Sequence, residues 1–399
     1  MSLSVSERMS RVMPSATSAV LGLAAELREA GRDVISLGAG EPDFDTPDHI
    51  RQAAIEAIRE GQTRYTAIDG TSQLKAAIQR KFERDNGLKY APDQILVSCG
   101  AKHTLFNACM AILSHGDEAI IPAPYWVSYP DMVRVAEGVP VIIETGIDSD
   151  FKVTPEQLDA AITGKTRVLF LNSPSNPSGS CYSREELAAL GEVLKRHPQI
   201  VILADDIYEH IHWAAEPFCS IATACPELID QVVTINGVSK CYAMTGWRIG
   251  YAGGPGEVIK AMKTMQSQIT SNPCSISQVA ATAALDGDQS CIKKMVAAYK
   301  ARSDYLVNAL NEIPGFECRE GEGAFYAFPR VTGALKAKGM AGDADLVQLL
   351  LNEADVVLVP GTPFGAPGYV RLSFACSIHC FNAGHWSQST NLRIPSIAP

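Results

Sequence analysis

No run of eighteen or more apolar residues occurs in this 399-residue chain, so a membrane-spanning helix is not expected. No basic-then-apolar leader opens it; the first residues read Met1-Ser-Leu-Ser-Val-Ser-Glu-Arg-Met9, and a secreted protein is not expected. Eleven cysteines are scattered along the chain without one Cys-x-x-Cys pair, and their number is odd. That pattern fits reduced thiols in a cytoplasm better than a disulfide framework. No basic tract stands out and the formal net charge is −10, which argues against a nucleic-acid surface. No Gly-x-Gly-x-x-Gly turn follows the first strand-like run, which disfavours a nicotinamide dehydrogenase. His210 and His212 flank Ile211 with no third ligand in the pattern, so no metal site is expected. No internal repeat, low-complexity tract or coiled coil interrupts the chain.

What is present is an ordinary globular composition, 46% apolar, long enough for two domains. Short apolar runs, many of them β-branched, alternate with helical patterns. Ile95–Ser98, Ala119–Pro122, Val139–Ile143, Arg167–Leu171, Ile200–Ala204, Val232–Ile235 and Ile249–Ala252 read as strands buried on both faces. Lys102–Leu113, Pro155–Ile162 and Arg184–Lys195 read as helices. The last opens with the capping box Ser183-Arg-Glu-Glu186 and stops before Pro198. The alternation predicts an α/β domain around a mostly parallel sheet over residues 46–287. From about Asp288 the pattern changes to a long helix (Ile292–Leu310), a helix over Asp343–Glu353, and strands at Val356–Pro360 and Tyr369–Phe374. This predicts a smaller α+β domain of residues 288–399, with which the N-terminal segment 1–45 is grouped.

Open α/β sheets bind ligands at the carboxyl ends of their strands, and the polar motifs follow strands. Ser98-Cys-Gly100-Ala101-Lys102 follows one and opens a helix, whose free N–H groups and dipole suit an anion. Asn172-Ser-Pro-Ser-Asn176-Pro-Ser-Gly179, Asp205-Asp206-Ile-Tyr208 and Lys240 follow three others. A lysine at a buried strand end is placed to lose water and its proton, and a neutral amine is the nucleophile of Schiff-base chemistry. Arg248, eight residues on, is able to hold an anionic group such as a phosphate near that amine. By composition alone, Asp205 and Asp206 compete for a role at the site. Cys241, beside Lys240, reads as a buried structural thiol.

These blocks carry a resemblance. With Ser36-Leu-Gly-Ala-Gly40-Glu-Pro-Asp-Phe-Asp-Thr-Pro47, Pro124-Tyr-Trp126-Val-Ser-Tyr129, Ala243-Met-Thr-Gly-Trp-Arg248-Ile-Gly-Tyr251 and Arg371-Leu-Ser-Phe374, the chain from Arg11 to Ser377 resembles the class I/II aminotransferases that use pyridoxal 5′-phosphate. Within them it looks most like the bacterial aspartate and bifunctional aspartate/prephenate subgroup. The resemblance implies the PLP-dependent transferase fold of type I. It also implies that Lys240 bonds the cofactor and shuttles a proton between the substrate Cα and the cofactor. The family spacing Asp-x-x-Tyr favours Asp205 as the partner of the ring nitrogen, with Tyr208 and Asn176 on the ring oxygen. Trp126 is expected to stack on the ring. Gly100, Ala101, Lys102 and Arg248 are expected around the phosphate, together with Tyr65 from a neighbouring subunit, which requires a homodimer. Arg371 is expected to grip the substrate α-carboxylate, and Gly40 to let its backbone approach the substrate. Ser15, Thr17 and Lys102 match positions that contact an acidic side chain. Aspartate and 2-oxoglutarate are therefore the expected substrates, with prephenate as a second acceptor; metal is expected to play no part.

Two departures stand out. Many relatives carry serine three residues before the lysine, where this chain has Gly237, which implies a modest change in phosphate grip. After Ser377, relatives run into a long amphipathic helix, whereas residues 378–399 have poor helix formers, no 3.6-residue stripe and two prolines. The expectation is a diverged or frame-shifted tail, clipped early by protease. The rival readings are an aromatic, alanine or branched-chain aminotransferase, a lyase or decarboxylase on the same cofactor, or a non-catalytic regulator. The last usually appends a helix-turn-helix region, for which this chain has no spare residues.

Overall fold

The computed structural model describes residues 4–376. The tail over 378–399 lies outside the described residues. A seven-stranded sheet organises the larger part of the chain. Its spatial order is Ile95–Ser98, Gly250–Gly253, Val232–Gly237, Val201–Asp205, Thr166–Asn172, Glu118–Ala123, Val139–Glu144. Only Gly250–Gly253 runs against its neighbours, pairing antiparallel on both sides; the other pairings are parallel.

Both faces of this sheet are covered, and the alternation along each strand shows it. Leu169 and Leu171 enter one hydrophobic core while Val168 and Phe170 enter the core on the opposite face. Ile202 and Ala204 oppose Leu203 in the same way. A side-chain period of two, with apolar residues at every position, is what burial on both faces requires. Helices Asp48–Arg59, Ser72–Lys81, Arg184–Leu194 and Ser275–Asp286 cover one face. Ala101–Ile112, Tyr129–Val135 and Gly256–Ile269 cover the other. The capping box at Ser183 forms as expected: Ser183 Oγ accepts from the Glu186 N–H, and Glu186 Oε2 accepts from the Ser183 N–H at 2.8 Å.

A second core gathers Met295, Tyr299, Leu306, Phe325, Leu346, Val370 and Leu372. Its strands are short. Ile35–Ser36 pairs in parallel with Val356–Val357, which ties the N-terminal segment to this region. The run Val356–Pro360 does not form the single strand expected. It divides, and Val359–Pro360 pairs instead with Val370–Arg371. Pro360 has no N–H to donate, and that confines it to the sheet edge it occupies. Among the described residues, no helix is long and apolar enough to cross a membrane.

Candidate active site

The carboxyl ends of the parallel strands open into a cavity of about 270 Å³ that also receives the second core's strands. Lys240, Asp205, Tyr208, Asn176, Trp126, Arg248, Arg371, Gly40, Thr17, Ala101 and Lys102 all line it. Positions spread over more than 350 residues of sequence are thus brought to one rim.

Lys240 stands three residues beyond the strand Val232–Gly237. Its Nζ donates to the Gly40 carbonyl at 2.6 Å. Burial, then the Arg371 and Arg248 charges, bring its pKa down to about 8, with Glu41 and Asp205 opposing. Desolvation disfavours the ammonium form. Asp205 ends the strand Val201–Asp205. Its Oδ2 accepts from the Tyr129 hydroxyl at 2.6 Å, while Oδ1 is buried without a hydrogen-bond partner. Burial lifts this carboxyl to about 6, against the hydrogen bond from Tyr129 and the Lys240 charge. Asp206, the rival by composition, does not line the cavity. Burial pushes its carboxyl well above the usual range, and its neighbour there is Ser220.

Tyr208 shares a 2.8 Å hydrogen bond with the Tyr326 hydroxyl, and burial raises its phenol well above the ordinary value. Arg371 is 1% exposed. Its guanidinium donates to Asn176 Oδ1 at 3.0 Å and to the Gly38 carbonyl at 2.8 Å, and lies over the Tyr326 ring. Its Nε is buried and unpartnered. Lys102 Nζ sits 4.8 Å from the Trp126 ring centroid, a cation–π contact. Burial and then Arg248 lower its pKa. Four cations, Lys102, Lys240, Arg248 and Arg371, face two carboxylates, Asp205 and Glu41. Such a cavity attracts anions.

The helix Ala101–Ile112 begins at the cavity, and its first amides have no acceptor within the helix. Gly100 precedes it at φ +87°, and a Cβ there would lie 2.4 Å from an Arg248 Nη. Only glycine permits both the left-handed backbone and the guanidinium beside it. Arg248 is held by the Thr245 carbonyl at 2.8 Å.

Two expected residues stand apart. Tyr65 is 92% exposed, on the surface and outside this cavity. Ser15 caps the helix Ala16–Glu29 and hydrogen-bonds Thr17 at 3.0 Å. It lines a neighbouring cavity of about 820 Å³ that shares Lys102 and Arg248 with the first. Cys241 is buried, and burial pushes its thiol far up. Gly237 has no room for a side chain, since a Cβ would stand 2.9 Å from the Ile249 carbonyl oxygen. Sequence reasoning missed Tyr129, Tyr326 and Glu41, which line the cavity. Tyr129 closes the Pro124–Tyr129 block, but no spacing announces that its hydroxyl meets Asp205. Asn172 stood in a motif without a role; its amide donates to the Asp205 carbonyl at 2.7 Å, and its oxygen accepts from the Asn176 N–H at 2.8 Å.

Pyridoxal phosphate is tested against this arrangement by the unpartnered Asp205 Oδ1. A buried carboxylate oxygen without a hydrogen-bond donor is disfavoured, and a protonated ring nitrogen would supply one. The donor-rich helix start and Arg248 suit a phosphate. The residues present fit the cofactor.

The profile of the aminotransferase class I and II family matches residues 32–379, and the chain belongs to that family: it is an aminotransferase. Among curated relatives, it is 54% identical over 382 residues to the aspartate/prephenate aminotransferase of Nitrosomonas europaea, covering 94% of this chain and 96% of the relative. It is 51% identical to the aspartate aminotransferase of Rhizobium meliloti, covering 92% of both chains. The crystal structure of an aspartate aminotransferase from Rhizobium meliloti superposes with a TM-score of 0.91 at 48% identity, over 96% of this chain and 97% of that one. The Thermus thermophilus aspartate aminotransferase with maleate gives 0.90 at 41% identity, over 96% and 98%. The fold is the type I fold of this superfamily, as the resemblance implied.

Proposed function

We propose that the protein transfers the amino group between L-aspartate and 2-oxoglutarate on pyridoxal 5′-phosphate, with prephenate as a further acceptor. The observation that carries this is the buried Lys240 amine, with a pKa of about 8, in one cavity with Asp205 and Arg371. The names and maleate complex of the relatives support an acidic substrate. When bound, pyridoxal phosphate supplies an electron sink for charge developing on the substrate carbon.

The chain's residues have separable tasks. Burial brings the Lys240 pKa down to about 8, which makes its neutral amine more available near pH 7 than that of an ordinary lysine; the neutral amine takes the proton from the substrate Cα. Asp205 stands ready to pair with a protonated ring nitrogen. Tyr208 and Asn176 would donate to a ring oxygen, and Trp126 would pack against the ring. The amides of Gly100, Ala101 and Lys102, with Arg248, would hold the phosphate. Arg371 presents its planar fork to the α-carboxylate, which fixes the bond to be broken. Lys102, with Thr17 and Ser15, receives the distal carboxylate, and Gly40 approaches the substrate through its backbone. Residues 46–287 are read as the cofactor-bearing lobe and residues 1–45 with 288–399 as the smaller one, of which 4–45 and 288–376 are among the described residues. The exposed Tyr65 serves the site of a second copy of the chain in a homodimer.

The test is a visible spectrum with added pyridoxal phosphate, before and after L-aspartate. A band that forms, is bleached by aspartate and returns with 2-oxoglutarate is expected. A band that ignores aspartate overturns the substrate assignment, and no band overturns the cofactor.

A further inference from the structure

Directly behind Tyr208 lies a buried ionic cluster that the reaction does not use. Glu209 is 5% exposed and Lys81 is 1% exposed, and the two form an ion pair. Asn86 bridges them: it accepts from Lys81 Nζ at 2.7 Å and donates to Glu209 Oε2 at 2.8 Å. His210 Nε2 lies 3.1 Å from Glu209 and 3.3 Å from Asp85, and Arg84 chelates Asp85 through two hydrogen bonds. Asp85, Glu209 and His210 together have the donor set of a cation site. The Lys81 ammonium already supplies a positive charge at that carboxylate.

Two features place this cluster in the service of the site. First, the segment after Asp205 belongs to no helix or strand. Its turn is held by short backbone bonds, from the Glu209 N–H to the Asp206 carbonyl at 3.0 Å and from the Ile211 N–H to the Tyr208 carbonyl at 2.8 Å. The segment is tied at its ends, by the Asp206 N–H on the Ile235 carbonyl at 2.9 Å and the Ala324 N–H on the Ile211 carbonyl at 2.8 Å, while the Tyr208 phenol itself is held by Tyr326 on the cavity side. Second, the helix Ser72–Lys81 ends in a π-helical turn, Phe82–Asn86. Such turns are rare and frequent at functional sites. This one carries Asn86 to the carboxylate that Lys81 holds, and Asp85 to His210 and Lys81. Burial pushes Glu209 up, but Lys81, His210 and Asn86 reverse this and leave it below its ordinary value.

We infer that Glu209, clamped by Lys81 and Asn86, is a positioning residue that fixes the Tyr208 phenol in the active site. Consecutive residues point to opposite sides: Tyr208 lines the cavity, and Glu209 anchors the same peptide to the π-turn. The inference rests on the aminotransferase reading above.

The experiment compares wild type, Glu209→Gln and the double variant Lys81→Met/Glu209→Gln, each loaded with pyridoxal phosphate. The visible band is titrated against pH, kcat and KM for L-aspartate are measured, and thermal unfolding is followed without cofactor. A loosened phenol donates a weaker hydrogen bond to the deprotonated chromophore, so the midpoint in Glu209→Gln is expected to move up by about 0.5–1 pH unit. In the same variant, kcat is expected to fall about tenfold while KM changes less than about twofold, because Arg371 touches none of the cluster. A lower unfolding temperature with unchanged midpoint and kcat overturns the inference and leaves a structural ion pair. If Glu209→Gln alone fails to fold, the double variant, which strands no charge, decides: a shifted midpoint supports the inference, and wild-type values overturn it. A wild-type protein without any band overturns the cofactor reading and this inference with it.

Discussion

Replacing Asp205 with asparagine removes a charge that the cofactor-free fold holds unfavourably. The Asp205 carboxyl has a pKa of about 6, raised from 3.8 by burial, although Tyr129 donates to it. A group whose folded pKa lies above its unfolded value favours the fold fully below the unfolded value. That stability is lost as pH rises through the folded one. For Asp205 the window runs from 3.8 to about 6, and the shift corresponds to roughly 3 kcal/mol. Asparagine does not titrate. In protein stripped of cofactor, the stability of Asp205→Asn relative to wild type should therefore rise by about 2–3 kcal/mol between pH 4 and pH 8. Urea unfolding of both proteins across that range measures the difference; groups that do not interact with Asp205 cancel, and the Lys240 charge, which does, makes readings below about pH 7 the cleaner part of the range. Adding pyridoxal phosphate should reverse the order above pH 6, because a protonated ring nitrogen favours the carboxylate over the amide. A gap between the two proteins that stays constant with pH refutes the reasoning, since Asp205 would then have the same pKa folded and unfolded.

Three further substitutions test other parts of the site. Arg371→Lys keeps the charge but loses the planar fork, and steady-state kinetics should show KM for L-aspartate rising about 10- to 100-fold. Lys102→Ala should raise KM for aspartate far more than for an aromatic donor; equal effects would show that Lys102 does not read the distal carboxylate. Gly237→Ala forces a Cβ against the Ile249 carbonyl, and thermal unfolding should report a loss of about 1–3 kcal/mol.

The sheet was legible in the sequence because each of its strands is short, apolar and buried on both faces. A run such as Val168-Leu-Phe-Leu171 has no other stable place. Helices Arg184–Leu194 and Pro155–Ala161 were legible because their caps are local chemistry, a hydroxyl three residues before a carboxylate or amide. Helices such as Ala16–Glu29 and Gly256–Ile269 announce themselves less, since neither has an acid–hydroxyl box at its start. The division of Val356–Pro360 between two sheets was invisible, because the partner of its first half, Ile35, stands at the far end of the chain, while that of its second half, Arg371, lies on the next strand.

By itself, the sequence determined the α/β alternation, the strand ends that carry polar motifs, and the residue types a carbonyl cofactor needs. These are local properties: period, cap, turn and spacing. Tertiary structure decided which of two adjacent aspartates faces the cavity: Asp205 ends the strand at the cavity, whereas Asp206, beyond the strand, lies outside it beside Ser220. It brought Tyr129 onto that carboxylate and Tyr326 onto Tyr208. It also lowered Lys240 to about 8 and raised Asp205 to about 6. Those shifts come from burial and from charges that are remote in the chain, and neither exists until the chain has folded.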